Sequence, residues 1–337
     1  MELFEKSRIR LTFDGNGEFR LLCASDYHAP AERDWDERLI RAEEALLDEA
    51  RPHLFAILGD LTHDGALDSP DRLRRYADAI AGPMEAREIP WCHVPGNHDR
   101  EAGLPIEVFT RHPHCLSVRG PRELPGYGTY LLPVYPSDGG EIPRLLLWFF
   151  DSHTSTGAWA EQFGIPEPHE FRSRTDGFDR GGGVYHRQAR WFWETDRRIE
   201  ETYGERIPGV MLMHIPLEEH RLVATNPSLT GLTGEIEESC GIPSMNPGLF
   251  AAAYERGNIL AVVAGHDHIN TFAGRYMGIE LSEDGSLGYD VYGSDNLRGG
   301  RLLTFRETDV QNFASEHMYL KNCPGAADFL FREGHDD

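Results

Sequence analysis

The chain has 337 residues, long enough to bury a substantial core, with 33 Lys and Arg against 56 Asp and Glu and a formal net charge of -23. That balance argues against docking on nucleic acid or on an anionic membrane surface; metal cations and small phosphate compounds stay compatible, because part of an acidic excess can itself ligate metal. Five cysteines, odd in number and without C-x-x-C spacing, and an N-terminus lacking a basic segment followed by an apolar one predict a cytoplasmic protein with no membrane span.

In chain order, Ile9 to Phe13 and Phe19 to Ser25 read as strands flanking Asp14-Gly15-Asn16-Gly17, whose Asp-Gly and Asn-Gly pairs signal a hairpin. Leu39, Ala42, Leu46, Leu47 and Ala50 fall at helical spacing within Trp35 to Ala50, and Leu54 to Leu58 is a strand. A helix begins at Ser69-Pro70 and runs to about Ala81, where Gly82-Pro83 breaks or kinks it. The strand Trp91 to Val94 then leads into a loop bearing Gly96-Asn97-His98-Asp99, and the alternation so far implies a largely parallel half-sheet. Thr129 to Tyr135 and Arg144 to Asp151 form a hairpin, and Arg187 to Tyr203 a helix. Two irregular stretches, about 154–183 and 219–247, read as lids on one domain covering 1–337, because long structureless loops inside a domain are usually functional. After strands at Val210 to Met213 and Ile259 to Ala264, with a short helix ending near Gly257 between them, the last strands are Asn270 to Ala273, Arg301 to Arg306 and Phe313 to Tyr319.

Five of these apolar runs end in Asp, Asn or His. They deliver Asp26 and His28, then Gly59-Asp60, then Gly96-Asn97-His98-Asp99, then His214, and last Gly265-His266-Asp267-His268. Parallel strands release their loops at one rim, where open α/β folds keep their sites. The Asn97-His98 pair has a chemical logic of its own. A neutral amide oxygen ligates a hard cation without cancelling its charge, while the neighbouring imidazole stays free to move a proton. Singly, each histidine is more often a satisfied polar residue. As a set after five strands they point to a metal centre.

Taken together, Asp26-x-His28, Gly59-Asp60, Gly96-Asn97-His98-Asp99, His214 and Gly265-His266-x-His268 resemble the signature of the calcineurin-like metallophosphoesterase superfamily. The C-terminal half, with His214-Ile215-Pro216-Leu217-Glu218, Asn246-x-Gly248-Leu249-Phe250 and Gly299-Gly300-Arg301, is similar to its purple-acid-phosphatase-like branch. The resemblance implies an α/β (α+β) fold, a four-layer sandwich of two mixed sheets flanked by helices. It implies two divalent or trivalent ions, Fe, Mn, Zn or Ni, one held by Asp26, His28, Asp60 and His268, the other by Asp60, Asn97, His214 and His266. The implied activity is phosphomonoester hydrolysis through a metal-bridging hydroxide, on a small phosphoester or a phosphoprotein. In that scheme His98 would protonate or stabilise the leaving oxygen, with Asp99 or another carboxylate fixing its tautomer. A phosphodiesterase on the same metals and a non-catalytic metal-binding scaffold are the alternatives. Purple acid phosphatases carry Tyr three residues after the bridging Asp; here that position is His63, either a support for a metal ligand or a loop residue, so no purple chromophore is expected. His153 and His220 are further candidates, as are Arg172, Arg174, Arg180 and Arg298 for binding phosphate.

Overall fold

The computed structural model describes residues 4, 8–29, 37–62, 70–153, 183–243 and 246–330. Its strands in chain order are β1 (Leu11–Thr12), β2 (Glu18–Ala24), β3 (Leu54–Ile57), β4 (Trp91–His93), β5 (Tyr130–Tyr135), β6 (Leu145–Phe150), β7 (Gly209–Met213), β8 (Ile259–Ala264), β9 (Ala273–Tyr276), β10 (Ile279–Glu283), β11 (Gly299–Arg306) and β12 (Ala314–Tyr319). The helices are α1 (Arg38–Ala50), α2 (Pro70–Ala86), α3 (Asn97–Glu101), α4 (His186–Tyr203), α5 (Glu218–Thr225), α6 (Pro227–Thr230) and α7 (Leu249–Arg256).

Two mixed sheets result. One has seven strands in the order β1-β5-β6-β7-β8-β10-β9, the other five in the order β12-β11-β2-β3-β4. In the first, β6, β7, β8 and β10 run parallel; in the second, β2, β3 and β4 do. The strands are apolar on both faces because both faces are covered. Along β2, Leu21 and Cys23 join Phe149, Leu212 and Val263 of the other sheet in the central core, while Leu22 and Ala24 pack outward on Leu39, Leu46 and Ile80 of α1 and α2. On the far side, Trp148, Met211 and Val262 meet Phe192 of α4 and Leu249 of α7. The order is helix, sheet, sheet, helix. Each fully buried large apolar side chain contributes about 1.5–3 kcal/mol, so a polar residue at Leu212 would open the central layer.

Several sequence expectations change. The turn at Asp14 forms, with Asp14 Oδ1 accepting the Asn16 and Glu18 amides at 2.9 Å each, yet β1 and β2 make no hairpin. β1 pairs parallel with β5 in the seven-stranded sheet and β2 lies in the other, so the turn steps between layers. α2 continues through Pro83 to Ala86. A proline there forfeits about one helical hydrogen bond, and burial of Ile80, Ala81 and Met84 outweighs that loss. The stretch 219–247 holds most of α5 and all of α6, and β10 lies where no strand was expected. Asn270 precedes the edge strand β9 rather than opening it. The expected lid at about 154–183, including Arg172, Arg174 and Arg180, lies outside the described residues except for Gly183, and His63 lies outside them too. Among the described residues no helix is long and apolar enough to cross a membrane. All five cysteines are free, and Cys23 and Cys92 are core residues as expected.

Candidate metal centre

Asp26, Asp60 and Asn97 follow β2, β3 and β4 of the five-stranded sheet; His214, His266 and His268 follow β7 and β8 of the seven-stranded one. The rim that collects them is therefore shared by both sheets. Their loops extend the ladders: Asp26 N–H donates to Gly59 O at 3.0 Å, His28 N–H to Asp60 O at 2.9 Å, and Gly265 N–H to His214 O at 3.0 Å. Across the sheets, His266 N–H donates to Asp26 Oδ2 at 2.8 Å, and His214 Nδ1 bonds Leu58 O at 2.7 Å.

Turning the side chains inward within so few residues demands left-handed backbone, with φ of 55° at Asp26, 46° at His28, 51° at Asp60 and 77° at His266. Each costs of order 1 kcal/mol, a strain that clusters at functional sites. The motif glycines are spacers. A Cβ on Gly59, where φ is +94°, would lie 2.8 Å from His214 Nδ1, and one on Gly96 would run into the Asp60 carboxylate.

The donors form two groups. In the first, His28 Nε2 lies 3.1 Å from His268 Nε2, and Asp26 Oδ1 lies 3.4 and 3.3 Å from those nitrogens. In the second, His214 Nε2 is 3.1 Å from Asp60 Oδ2, 3.3 Å from His266 Nδ1 and 3.2 Å from Asn97 Oδ1. Asp60 Oδ2 is also 3.7 Å from His28 Nε2, while Oδ1 is taken by the His98 amide at 2.8 Å. One carboxylate oxygen thus faces both groups.

The donor set fits cations. His214 and His268 spend Nδ1 on the carbonyls of Leu58 and Tyr292, the latter at 2.8 Å, which leaves Nε2 of each as the atom that would bind a metal once deprotonated. Asp26 Oδ1 is buried and accepts no hydrogen bond. Lone pairs converging at about 3 Å repel unless a proton or cation lies between them, and imidazole, carboxylate and amide donors together suit first-row metals. The charges agree. Burial would raise Asp26, yet His268 and His214 hold it well below the usual carboxylate range. Burial would also lower His214, but Asp60 and Asp26 push it up to about 10. A protonated His214 supplies the positive charge that a metal would otherwise bring.

His98 and Asp99 sit in the first turn of α3 rather than on a loop, with Gly96 as its N-cap. His98 stands at the edge of the set, its ring 5.1 Å from that of His28 and its side chain 30% exposed. The carboxylate beside its Nδ1 is Glu101, at 3.1 Å. Burial disfavours the His98 cation, but Glu101 and Asp60 raise the group to about 9. Asp99 is corrected: its oxygens accept the Thr62 and Gly96 amides at 3.1 and 3.0 Å, so it ties two loops together and does not orient His98. The sequence carried that signal in Gly96-x-x-Asp99, where Asp99 supplies the reaching-back half of a capping box. His220 is likewise structural, its Nδ1 accepting the Leu217 amide at 3.1 Å to start α5. His153 packs on Tyr185 beside Asp151 and is a member of neither donor group. Arg298 is buried against the Tyr289 ring and bonded to Asp295. Sequence reasoning missed Tyr292, whose ring stacks on His268 at 4.1 Å and 8° while half exposed.

A model of the calcineurin-like phosphoesterase family matches residues 19–270, the span that holds every donor described above. The chain belongs to the calcineurin-like phosphoesterase family. Within its wider similarities, it is 27% identical over 318 residues to Probable inactive purple acid phosphatase 29 of Arabidopsis thaliana, covering 85% of this chain and 76% of that one. It is 25% identical over 240 residues to the phosphatase DCR2 of Saccharomyces cerevisiae, covering 67% of this chain and 38% of that protein. Among solved structures, a dimetal phosphatase from Danio rerio shares the fold with a TM-score of 0.53 at 12% identity, over 89% of this chain and 99% of that one. The two mixed sheets flanked by helices are the architecture expected for this calcineurin-like phosphoesterase.

Proposed function

We propose that this calcineurin-like phosphoesterase is an active dinuclear hydrolase of phosphomonoesters. The observation that carries the reading is Asp60 Oδ2, which faces His28 on one side and His214 on the other at 3.7 and 3.1 Å. Asp26, His28, Asp60 and His268 would hold one ion, and Asp60, Asn97, His214 and His266 the other. Such ions, when bound, polarise phosphoryl oxygens and supply a water-derived nucleophile near neutral pH. The chain does the rest. Leu58 and Tyr292 fix the tautomers of His214 and His268, and Glu101 holds His98 at the rim, where its proton is placed for the leaving oxygen. The stacked, half-exposed Tyr292 offers a face to an aryl or peptide leaving group.

Three curated relatives carry the word inactive in their names. In this chain the seven donors are present and converge, which supports a working centre. A net charge of -23 supports a small phosphoester or a phosphoprotein over a nucleic acid. Five free cysteines support a reducing, cytoplasmic setting.

The test combines metal analysis with steady-state assays on p-nitrophenyl phosphate, its bis-ester, cyclic AMP and a phosphopeptide under several divalent metals. Asp60→Asn is expected to lose both ions, and His98→Ala to keep them while losing about 10²–10⁴ in turnover. Full metal loading without turnover would favour a scaffold. A higher kcat/KM for the diesters would move the substrate class and leave the centre in place.

A further inference from the structure

A second convergence of donors lies behind the loop that carries His266 and His268. The ligand atoms of Cys240, Asp267 and Glu283 all lie within 4.8 Å of one another. Asp267 accepts the Gly241 amide through both carboxylate oxygens, at 3.0 and 2.9 Å, which brings the loop bearing Cys240 onto the metal-ligand loop. Glu283, at the end of β10, is fully buried, and neither of its oxygens accepts a hydrogen bond of ordinary geometry. Asn270 spends Oδ1 on the amides of Glu237 and Glu238 at 3.1 and 3.2 Å, so the end it turns to Glu283 is its Nδ2 donor. Among the described residues the buried guanidinium of Arg301 reaches Glu283, but it donates to the backbone carbonyl, at 3.3 Å, and not to the carboxylate. Two buried carboxylates and a thiol gathered at one point, with no ion pair to either carboxylate, are costly to bury.

We propose that Cys240, Asp267 and Glu283 form a third metal site, distinct from the dinuclear set, that takes one zinc-like divalent ion through Sγ and one oxygen of each acid. Bond lengths of about 2.0–2.3 Å put such donors about 3.5 Å apart, so a small side-chain adjustment closes the site. On binding, sulfur forms its bond to the ion as the Sγ–H proton leaves to solvent, along with any proton shared by the two acids; no electrons are transferred. The ion clamps the loop at 237–241 onto the His266–His268 loop. Glu238 already bridges the two, accepting the Ile269 amide and the Tyr292 hydroxyl at 3.0 Å each.

Sulfur makes the site separable from the dinuclear centre, whose donors are all nitrogen and oxygen. The full chain is stripped with chelator and reloaded with cobalt(II), read by near-ultraviolet absorption, and with zinc, counted by mass spectrometry under non-denaturing conditions. The expected result is a thiolate-to-cobalt band and one more bound ion in the wild type than in Cys240→Ala, with the band lost in that variant. Glu283→Gln loses the extra ion too; should it fail to fold, Cys240→Ala decides alone. A wild type with no thiolate band and the ion count of Cys240→Ala overturns the proposal, leaving the two acids to share a proton. A band that survives in Cys240→Ala overturns it as well. A band that depends on Cys240, found without ions at the His and Asp donors, upholds the third site while removing the proposed hydrolase.

Discussion

Glu43→Gln tests the electrostatics of the outer core, where Glu43 meets Tyr27 on the helix side of the loop after β2. Glu43 lies on the inner face of α1, fully buried; one oxygen accepts the Tyr27 hydroxyl at 2.8 Å and Oε2 has no hydrogen-bond partner. Burial pushes its carboxyl from 4.5 up to about 8. The folded protein therefore keeps a proton that the unfolded chain releases above 4.5. The stability this group contributes is full below 4.5 and is lost as pH rises through about 8. The slope is about 1.4 kcal/mol per pH unit inside that window, which makes the loss about 3 kcal/mol by pH 7. Glutamine keeps an acceptor for Tyr27 and cannot ionise. Denaturant unfolding of metal-free wild type and Glu43→Gln, at about pH 5 and about pH 8, should show the variant gaining about 3–4 kcal/mol on the wild type between the two conditions. Any fixed cost of the amide cancels in that comparison. A stability difference that is the same at both pH values would refute the reasoning and show that Glu43 is ionised and solvated in the native state.

Glu101→Gln should leave metal content unchanged and move the alkaline limb of the kcat profile down by about one pH unit or more, because the carboxylate that favours His98 as a cation is gone; the readout is the difference from wild type, since bound metals act on both proteins. Gly96→Ala should displace Asp60 and lose about 10²-fold in activity together with metal, measured by elemental analysis, although φ of -90° at this position is open to alanine. Iron-loaded protein should show no intense visible tyrosinate band, because His63 stands where purple acid phosphatases carry Tyr and the Tyr27 hydroxyl is engaged with Glu43 in the core.

The strands and the donor set were legible because both are written locally, whereas the two-sheet layering was implied only by the family resemblance. Continuous apolar runs ending in Asp, Asn or His mark strands buried on both faces with loops at one rim, and no pairing has to be known to see it. What the sequence hid depends on distant partners. The Asp14 turn was visible, but Leu11 pairs with Val134 in the seven-stranded sheet while β2 lies in the other, so no hairpin forms. β10 reads Ile-Glu-Leu-Ser-Glu, residues of mixed strand preference, and it is a strand because β8 and β9 pair with it on both sides. Asp99 lies next to His98 in sequence yet points away from it, since neighbours on a helix face different sides, whereas Glu101 at i+3 shares its face. Tyr292 contributes a backbone carbonyl and a stacked ring, and neither leaves a motif.

The shared rim gives the centre a mechanical property. Leu58 belongs to one sheet and His214 to the other, and the 2.7 Å bond between them is part of what aims a ligand. The donor set therefore works as a vernier on the sandwich: a slip of one sheet over the other by about an ångström misaligns the two scales before either sheet loses a strand. Ion release from this protein would gauge breathing of its central layer, and tighter packing among Leu21, Phe149 and Leu212 would slow that release from a distance.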